Sequence, residues 1–129
     1  MRVLLDSVIL IDHFNGLAAA TAYLKMVHPV ASLSVITRAE VLTGFDEAQL
    51  ARALPLLDSF PVLPLTKEIA DRAARLRREH RWKLPDALQA AFAEVHGMRL
   101  ATRNTRDFDP AVHSFVHVPY GCDIVAKPA

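Results

Sequence analysis

Apolar residues fall along this chain in two rhythms. Short runs stand at Val3-Leu4-Leu5, at 30–35 (Val-Ala-Ser-Leu-Ser-Val), at 61–65, at Arg99-Leu100-Ala101-Thr102 and at 115–118. Runs of this length, bounded by polar or turn residues, read as strands. Between them the apolar positions recur every three or four residues. Ile69, Ala73, Leu76 and His80 mark one face of a helix from Thr66 to about Arg81. Leu88, Ala91, Phe92 and Val95 mark the buried stripe of a helix opened by Pro85, a residue tolerated where the N–H has no helical partner. Further helices are expected over 7–14, 17–27, 35–45 and 47–57, the last ended or kinked by Pro55. Gly97 falls where a helix gives way to the fourth strand.

Strands alternating with helices predict one α/β domain over residues 1–129. Its sheet is mostly parallel, with helices on both faces and the fifth strand at an edge. No internal repeat, low-complexity stretch or linker interrupts it. In such sheets ligands bind beyond the carboxyl ends of the strands, where the strand order reverses. The residues just after each strand are therefore the first to read for chemistry.

Composition narrows the class. The chain has 129 residues, 52% of them apolar and 22% charged, which excludes disorder as its main description. No apolar run approaches the ~18 residues of a membrane span. The N-terminus begins like an export signal, but Asp6 and Asp12 break the apolar stretch. A lone cysteine, Cys122, forms no internal disulfide, so a cytoplasmic protein is expected. The formal net charge is only +1, yet ten of the fifteen Lys and Arg residues lie between Lys67 and Arg106. Such clustering permits a polyanionic partner, although a solvated helix face explains any one basic run.

Four carboxylates fall where the topology directs attention. Asp6 follows the first strand and Glu40 lies in the helix after the second. Asp86 heads the helix before the fourth strand, and Asp107 lies just beyond that strand. Each also has a local explanation. Asp6 or Ser7 caps a helix, Thr37 to Glu40 matches a capping box, Asp86 favours a helix N-terminus, and Asp107 closes a turn. Together they are harder to explain locally. Carboxylates crowded into one crevice either take up protons or require a cation. Oxygen donors without a Cys or His pair point to Mg²⁺ or Mn²⁺ rather than zinc. Such ions activate water and stabilise the leaving oxygen of a phosphodiester, which suggests nuclease chemistry.

The same residues resemble the PIN domain family, and within it the VapC-type toxins of toxin–antitoxin pairs. The likeness runs from Leu4-Leu5-Asp6-Ser7 through Ile36-Thr37-Arg38-Ala39-Glu40-Val41-Leu42-Thr43-Gly44 and Leu84-Pro85-Asp86-Ala87-Leu88-Gln89-Ala90-Ala91. It ends at Ala101-Thr102-Arg103-Asn104-Thr105-Arg106-Asp107-Phe108. The resemblance implies a three-layer α/β/α sandwich that acts as a Mg²⁺- or Mn²⁺-dependent endoribonuclease. Asp6, Glu40 and Asp86 match the acidic metal-site positions. At the fourth position stand Asn104, a neutral ligand or substrate contact, and Asp107, the anionic contributor. In the implied mechanism Asp6 and Asp86 hold the principal metal while Glu40 and Asp107 orient its waters or a second ion. Hydrolysis by water would leave a 5′-phosphate. Ser7, Arg103 and Arg106 are substrate-binding candidates, the two arginines as phosphate contacts. The chain departs from the family pattern at Asn104, which lowers the site's charge, and at Val8, where relatives carry a small polar residue. The implied partners are RNA, a small antitoxin whose tail enters the acidic crevice, and a second copy of the chain, with no membrane. The Ala-rich segments 17–22 and 50–57 offer apolar helix surface for either protein contact.

Other signals carry less. His113 and His117 bracket an expected strand, ~13 Å apart at ~3.3 Å per residue, too far for one metal. His80 and His96 suit helix ends. Trp82 could stack on a base but reads better as an anchor against the sheet or a dimer partner, and Cys122 has no base nearby. A phospho-receiver-like domain would need an acceptor Asp ending a middle strand, which the second and third strands lack. A catalytically weakened PIN-like module that only binds RNA or protein is the alternative function.

Overall fold

The computed structural model describes residues 1–121. Five strands, β1 (Val3–Leu5), β2 (Ala31–Ser34), β3 (Val62–Leu63), β4 (Arg99–Ala101) and β5 (Val116–His117), form one sheet in the order β3-β2-β1-β4-β5. Every pairing is parallel, with Leu4 opposite both Ser32 and Leu100. Six helices connect them in pairs rather than singly: α1 (Ser7–Phe14) with α2 (Ala18–Val27), α3 (Val35–Thr43) with α4 (Glu47–Asp58), and α5 (Lys67–His80) with α6 (Leu84–His96). The alternation read from sequence is thus strand–helix–helix. It fails between β4 and β5, which are joined by turns alone.

Successive side chains of a strand point to opposite faces, and β1 and β4 feed two cores this way. Val3, Leu5 and Ala101 pack with residues of α1 to α4, while Leu4 and Leu100 pack with residues of α5, α6 and Phe108. Helices therefore cover both faces, as expected of a parallel sheet. From β1 the chain steps outward to β2 and β3, then crosses back to place β4 on the other side of β1. The reversal lies between β1 and β4, so the crevice where ligands bind in such folds opens just after Leu5 and Ala101.

Several boundaries differ from the sequence reading for definite reasons. Pro29 lies inside a 3-10 turn, His28–Val30, so β2 begins one residue later than expected. Pro55 neither ends nor breaks α4, which continues to Asp58 because Ala53, Leu57 and Phe60 are all buried in the core beneath it. The α6 stripe is wider than the spacing suggests. Ala87, Gln89, Ala90, Ala91, Phe92 and Ala93 are all buried, because this helix sits between the sheet and its neighbours. His113 lies in a turn, and only His117 is on β5. No helix among the described residues is long and apolar enough to cross a membrane. Cys122 lies outside the described residues.

Gly97 ends α6 in the left-handed conformation (φ +63°), and a Cβ there would meet no atom within 4 Å. The penalty for a side chain is then one of backbone alone. Gly97→Ala is expected to cost about 1 kcal/mol, measured by urea unfolding. A cost near zero would mean that the helix end relaxes.

Candidate active site

Asp6 leaves β1 and caps α1, its Oδ1 accepting from the Ser7 N–H at 2.9 Å. Two further donors reach it from distant parts of the chain. Thr102, the first residue after β4, donates its hydroxyl to Oδ2 at 2.6 Å, and Gln89 of α6 donates weakly to Oδ1 at 3.4 Å. The Asp6 N–H itself bonds the Ala101 carbonyl at 2.9 Å, continuing the β1–β4 pairing to the mouth of the crevice. Asp6 is 7% exposed, so its two oxygens are oriented by neutral donors in a largely dry setting.

Gln89 is the centre of a buried polar chain. It accepts from the Ser34 hydroxyl at 2.6 Å and donates to Thr37 Oγ1 at 2.6 Å, and Thr37 in turn donates to the Leu5 carbonyl at 3.0 Å. Ser34 is also the cap of α3, accepting from the Thr37 N–H at 3.0 Å. Thr37 is thus inside α3 rather than at its cap, and the capping-box reading of Thr37 to Glu40 does not hold. Released from that role, Glu40 projects one turn further along α3, beside Ser7 and within electrostatic reach of Asp6 and Asp86.

Asp86 stands in the first turn of α6. Its carboxyl is pushed up to about 6, first by burial, then by the charges of Asp6 and Asp107, with Lys83 pulling the other way. Glu40 is also raised, first by burial and then by Asp6 and Asp86, against a lowering contribution from the Ser7 hydroxyl. Asp6, Glu40 and Asp86 therefore act on one another, and Asp107 acts on Asp86. None of the four forms an ion pair among the described residues.

Asn104 and Asp107 hold each other across the turn after β4. The Asn104 amide donates to Asp107 Oδ2 at 3.1 Å, and its Oδ1 accepts from the Asp107 N–H at 3.4 Å. Asn104 N–H bonds Thr102 Oγ1 at 3.0 Å, so the hydroxyl that orients Asp6 also organises this turn. The local reading of Asp107 as a turn-closing residue holds.

The two arginines part company here. Arg106 is exposed and forms no ion pair among the described residues. Arg103 is committed internally. Its guanidinium grips the buried Asp12 of α1 through Nε at 2.6 Å and Nη2 at 3.0 Å, and lies 5.9 Å from the centre of the Tyr120 ring. Tyr120 adds a hydrogen bond to Asp12 at 2.8 Å. The expectation that Arg103 contacts phosphate is thus corrected: a buried carboxylate competes for its donors. Arg103→Met would strand Asp12 and is expected to cost about 2 kcal/mol, toward the low end for a buried pair because some water reaches it. Adding Asp12→Asn should recover part of that loss in a double-mutant cycle. Strictly additive effects would show that the two side chains do not interact.

Thr102 and Gln89 lie in the family-like strings and Asp12 interrupts an apolar stretch, but the sequence assigns none of them a role at the site. Gln89 offered the one signal, a polar side chain amid four alanines, a leucine and a phenylalanine between 87 and 93.

A doubly wound parallel sheet with an acidic crevice at its point of strand reversal defines the class of this protein. The chain belongs to the PIN domain family, whose model matches residues 3–111. It is 40% identical over 114 residues to Ribonuclease VapC10 of Mycobacterium tuberculosis, covering 82% of this chain and 85% of that one. Among solved structures, a chain of a toxin–antitoxin complex from Klebsiella pneumoniae superposes with a TM-score of 0.86 at 37% identity, over 93% of this chain and 99% of that one. FitAcB from Neisseria gonorrhoeae gives 0.77 at 25% identity, over 92% and 98%.

Proposed function

We propose that this protein is a Mg²⁺- or Mn²⁺-dependent endoribonuclease that hydrolyses RNA phosphodiester bonds, and that it is the toxin of a toxin–antitoxin pair. The observation that carries the reading is the cluster of Asp6, Glu40, Asp86 and Asp107, in which Asp86 is repelled by Asp6 and Asp107 and none of the four forms an ion pair among the described residues. The likeness to a protein named as a ribonuclease and to a chain of a toxin–antitoxin complex supports it.

The donor set fits a hard divalent cation. Among the described residues no three acidic or imidazole groups close as a ready-made cage. Mg²⁺ needs none, since it keeps several waters and is held by one or two carboxylates with substrate phosphate. When bound, the ion acts as a Lewis acid toward the phosphate and lowers the pKa of a water in its shell. Asp6 and Asp86 hold it. Glu40 and Asp107 orient water or a second ion, and Asn104 serves as a neutral ligand or keeps Asp107 in place. Ser7 and Arg106 receive the RNA backbone.

A cognate antitoxin is the proposed protein partner, beside a second copy of the chain in a homodimer working in the cytoplasm. An apolar groove of about 370 Å³, lined by Leu24, Lys25, His28 and Leu56 of the α2–α4 face, offers such a partner a seat.

The test is cleavage of a mixed RNA pool by purified protein in Mg²⁺, in Mn²⁺ and in EDTA. Cutting that EDTA stops supports the reading. A protein stripped of copurifying partner that never cuts would instead be a binding module on a nuclease fold.

A further inference from the structure

Asp107 sits on the turn-rich stretch that joins β4 to β5, the one strand connection among the described residues without a helix. A ligand on such a stretch needs support, because a reactive geometry tolerates displacements of only about 0.5 Å. Asn104 supplies part of that support. The rest comes from outside the loop.

Trp82 lies between α5 and α6, four residues before Asp86. Arg81 precedes it with φ +59°, the only positive φ of a non-glycine residue among the described residues. That conformation is costly for a residue with a Cβ, and it turns the chain so that the indole is driven inward, to 5% exposure. There the ring stacks on His80, with centroids 4.2 Å apart, and meets Phe108 edge-on at 5.0 Å. A buried indole must still place its N–H. It donates to the main-chain carbonyl of Asp107 at 3.0 Å. Trp82 thus holds two consecutive residues of the loop, Asp107 by a hydrogen bond and Phe108 by its ring.

The other end of this link is rigid. Arg77 donates to the Trp82 carbonyl at 2.5 Å, and the Ala87 N–H bonds the Lys83 carbonyl at 2.9 Å, closing the first turn of α6 around Asp86. We propose that Trp82 is a positioning residue that straps the Asp107 loop to the head of α6 and so sets the spacing of Asp86 and Asp107. The functional part of this inference depends on the reading of Asp86 as a metal-holding residue and of Asp107 as one that orients water or a second ion.

Trp82 is the only tryptophan in the chain. Growth on the benzothiophene analogue of tryptophan therefore exchanges this one ring for an isostere that lacks the N–H, and Trp82→Phe gives a second, smaller ring without it. In metal-free protein, amide exchange at Asp107 and Phe108 should rise about tenfold, with Ile69 and Leu76 of α5 unchanged. Mn²⁺ affinity by calorimetry and kcat should each fall about 10–100-fold, the usual effect of losing a group that orients a ligand, with KM for RNA unchanged. Wild-type exchange and Mn²⁺ affinity in the isostere would overturn the proposal. So would faster exchange spread evenly through α5 and α6, since the ring would then serve only the core. Should the unaltered protein neither bind Mn²⁺ nor cut RNA, the reading of the site fails, and local loop exchange still decides whether the indole is a strap.

Discussion

Asp6→Asn is expected to lower metal-dependent RNA cleavage by about 10³-fold or more while leaving the fold intact. The loss follows from charge: the metal contributes several kcal/mol of transition-state stabilisation, and each ~1.4 kcal/mol is tenfold in rate. The fold survives because asparagine caps a helix as well as aspartate. Its remaining oxygen can still accept from the Ser7 N–H or from the Thr102 hydroxyl, which now hold Oδ1 and Oδ2. Cleavage of the RNA pool in Mn²⁺, measured beside the melting temperature, checks both halves. A variant that cuts within tenfold of wild type at unchanged stability would remove Asp6 from the catalytic machinery.

Asp86→Asn should do two opposite things. Activity should be lost, as for Asp6, while the metal-free fold should become more stable near neutral pH. The sign comes from the raised carboxyl of Asp86, with a pKa of about 6 against an ordinary 3.8. The unfolded chain releases this proton at lower pH than the folded one. Metal-free wild type therefore loses stability as pH rises from about 4 to about 6, and the deficit stays full above that. Glu40 acts in the same direction. Because water screens part of the repulsion, the gain from Asp86→Asn at pH 7 is put at about 1 kcal/mol, or roughly 4 °C in melting temperature. It should vanish near pH 4. Saturating Mn²⁺ should reverse the order, since an ion that binds only the folded wild type stabilises it by mass action. Thermal unfolding at pH 4 and pH 7, with and without Mn²⁺, reads all of this. A variant less stable than wild type at pH 7 without metal would show that Asp86 is not under repulsive load.

Much of the fold was legible because it follows from local periodicity. The apolar run 3–5 forms β1, and the three- and four-residue spacing of Ile69, Ala73 and Leu76 forms the buried face of α5. Gly97 marks the end of α6 because its φ of +63° suits a residue without a Cβ. Misreadings arose where burial overrode local preference. Leu57 carries α4 past Pro55, and α6 buries the polar Gln89 among alanines and Phe92.

The candidate site divides along the same line. Asp6, Glu40, Asp86 and Asp107 could be named from their places after strands and at helix heads, because a parallel sheet directs ligands to those places whatever the details. Their partners could not be named. Thr102 reaches Asp6 across 96 residues of chain, Gln89 reaches Asp6 across 83, and Arg103 reaches Asp12 across 91. The amino-acid sequence by itself determined which segments are strands and helices, which faces they bury, and which acids stand at the carboxyl ends of the sheet. Only the tertiary structure decided that Arg103 serves Asp12 rather than a phosphate, that Trp82 holds the Asp107 carbonyl, and that Asp86 carries a raised pKa. Hydrogen-bond partners and burial depend on where distant segments meet. A local pattern of side chains records the tendency to bury a face, and not which atoms it will find there.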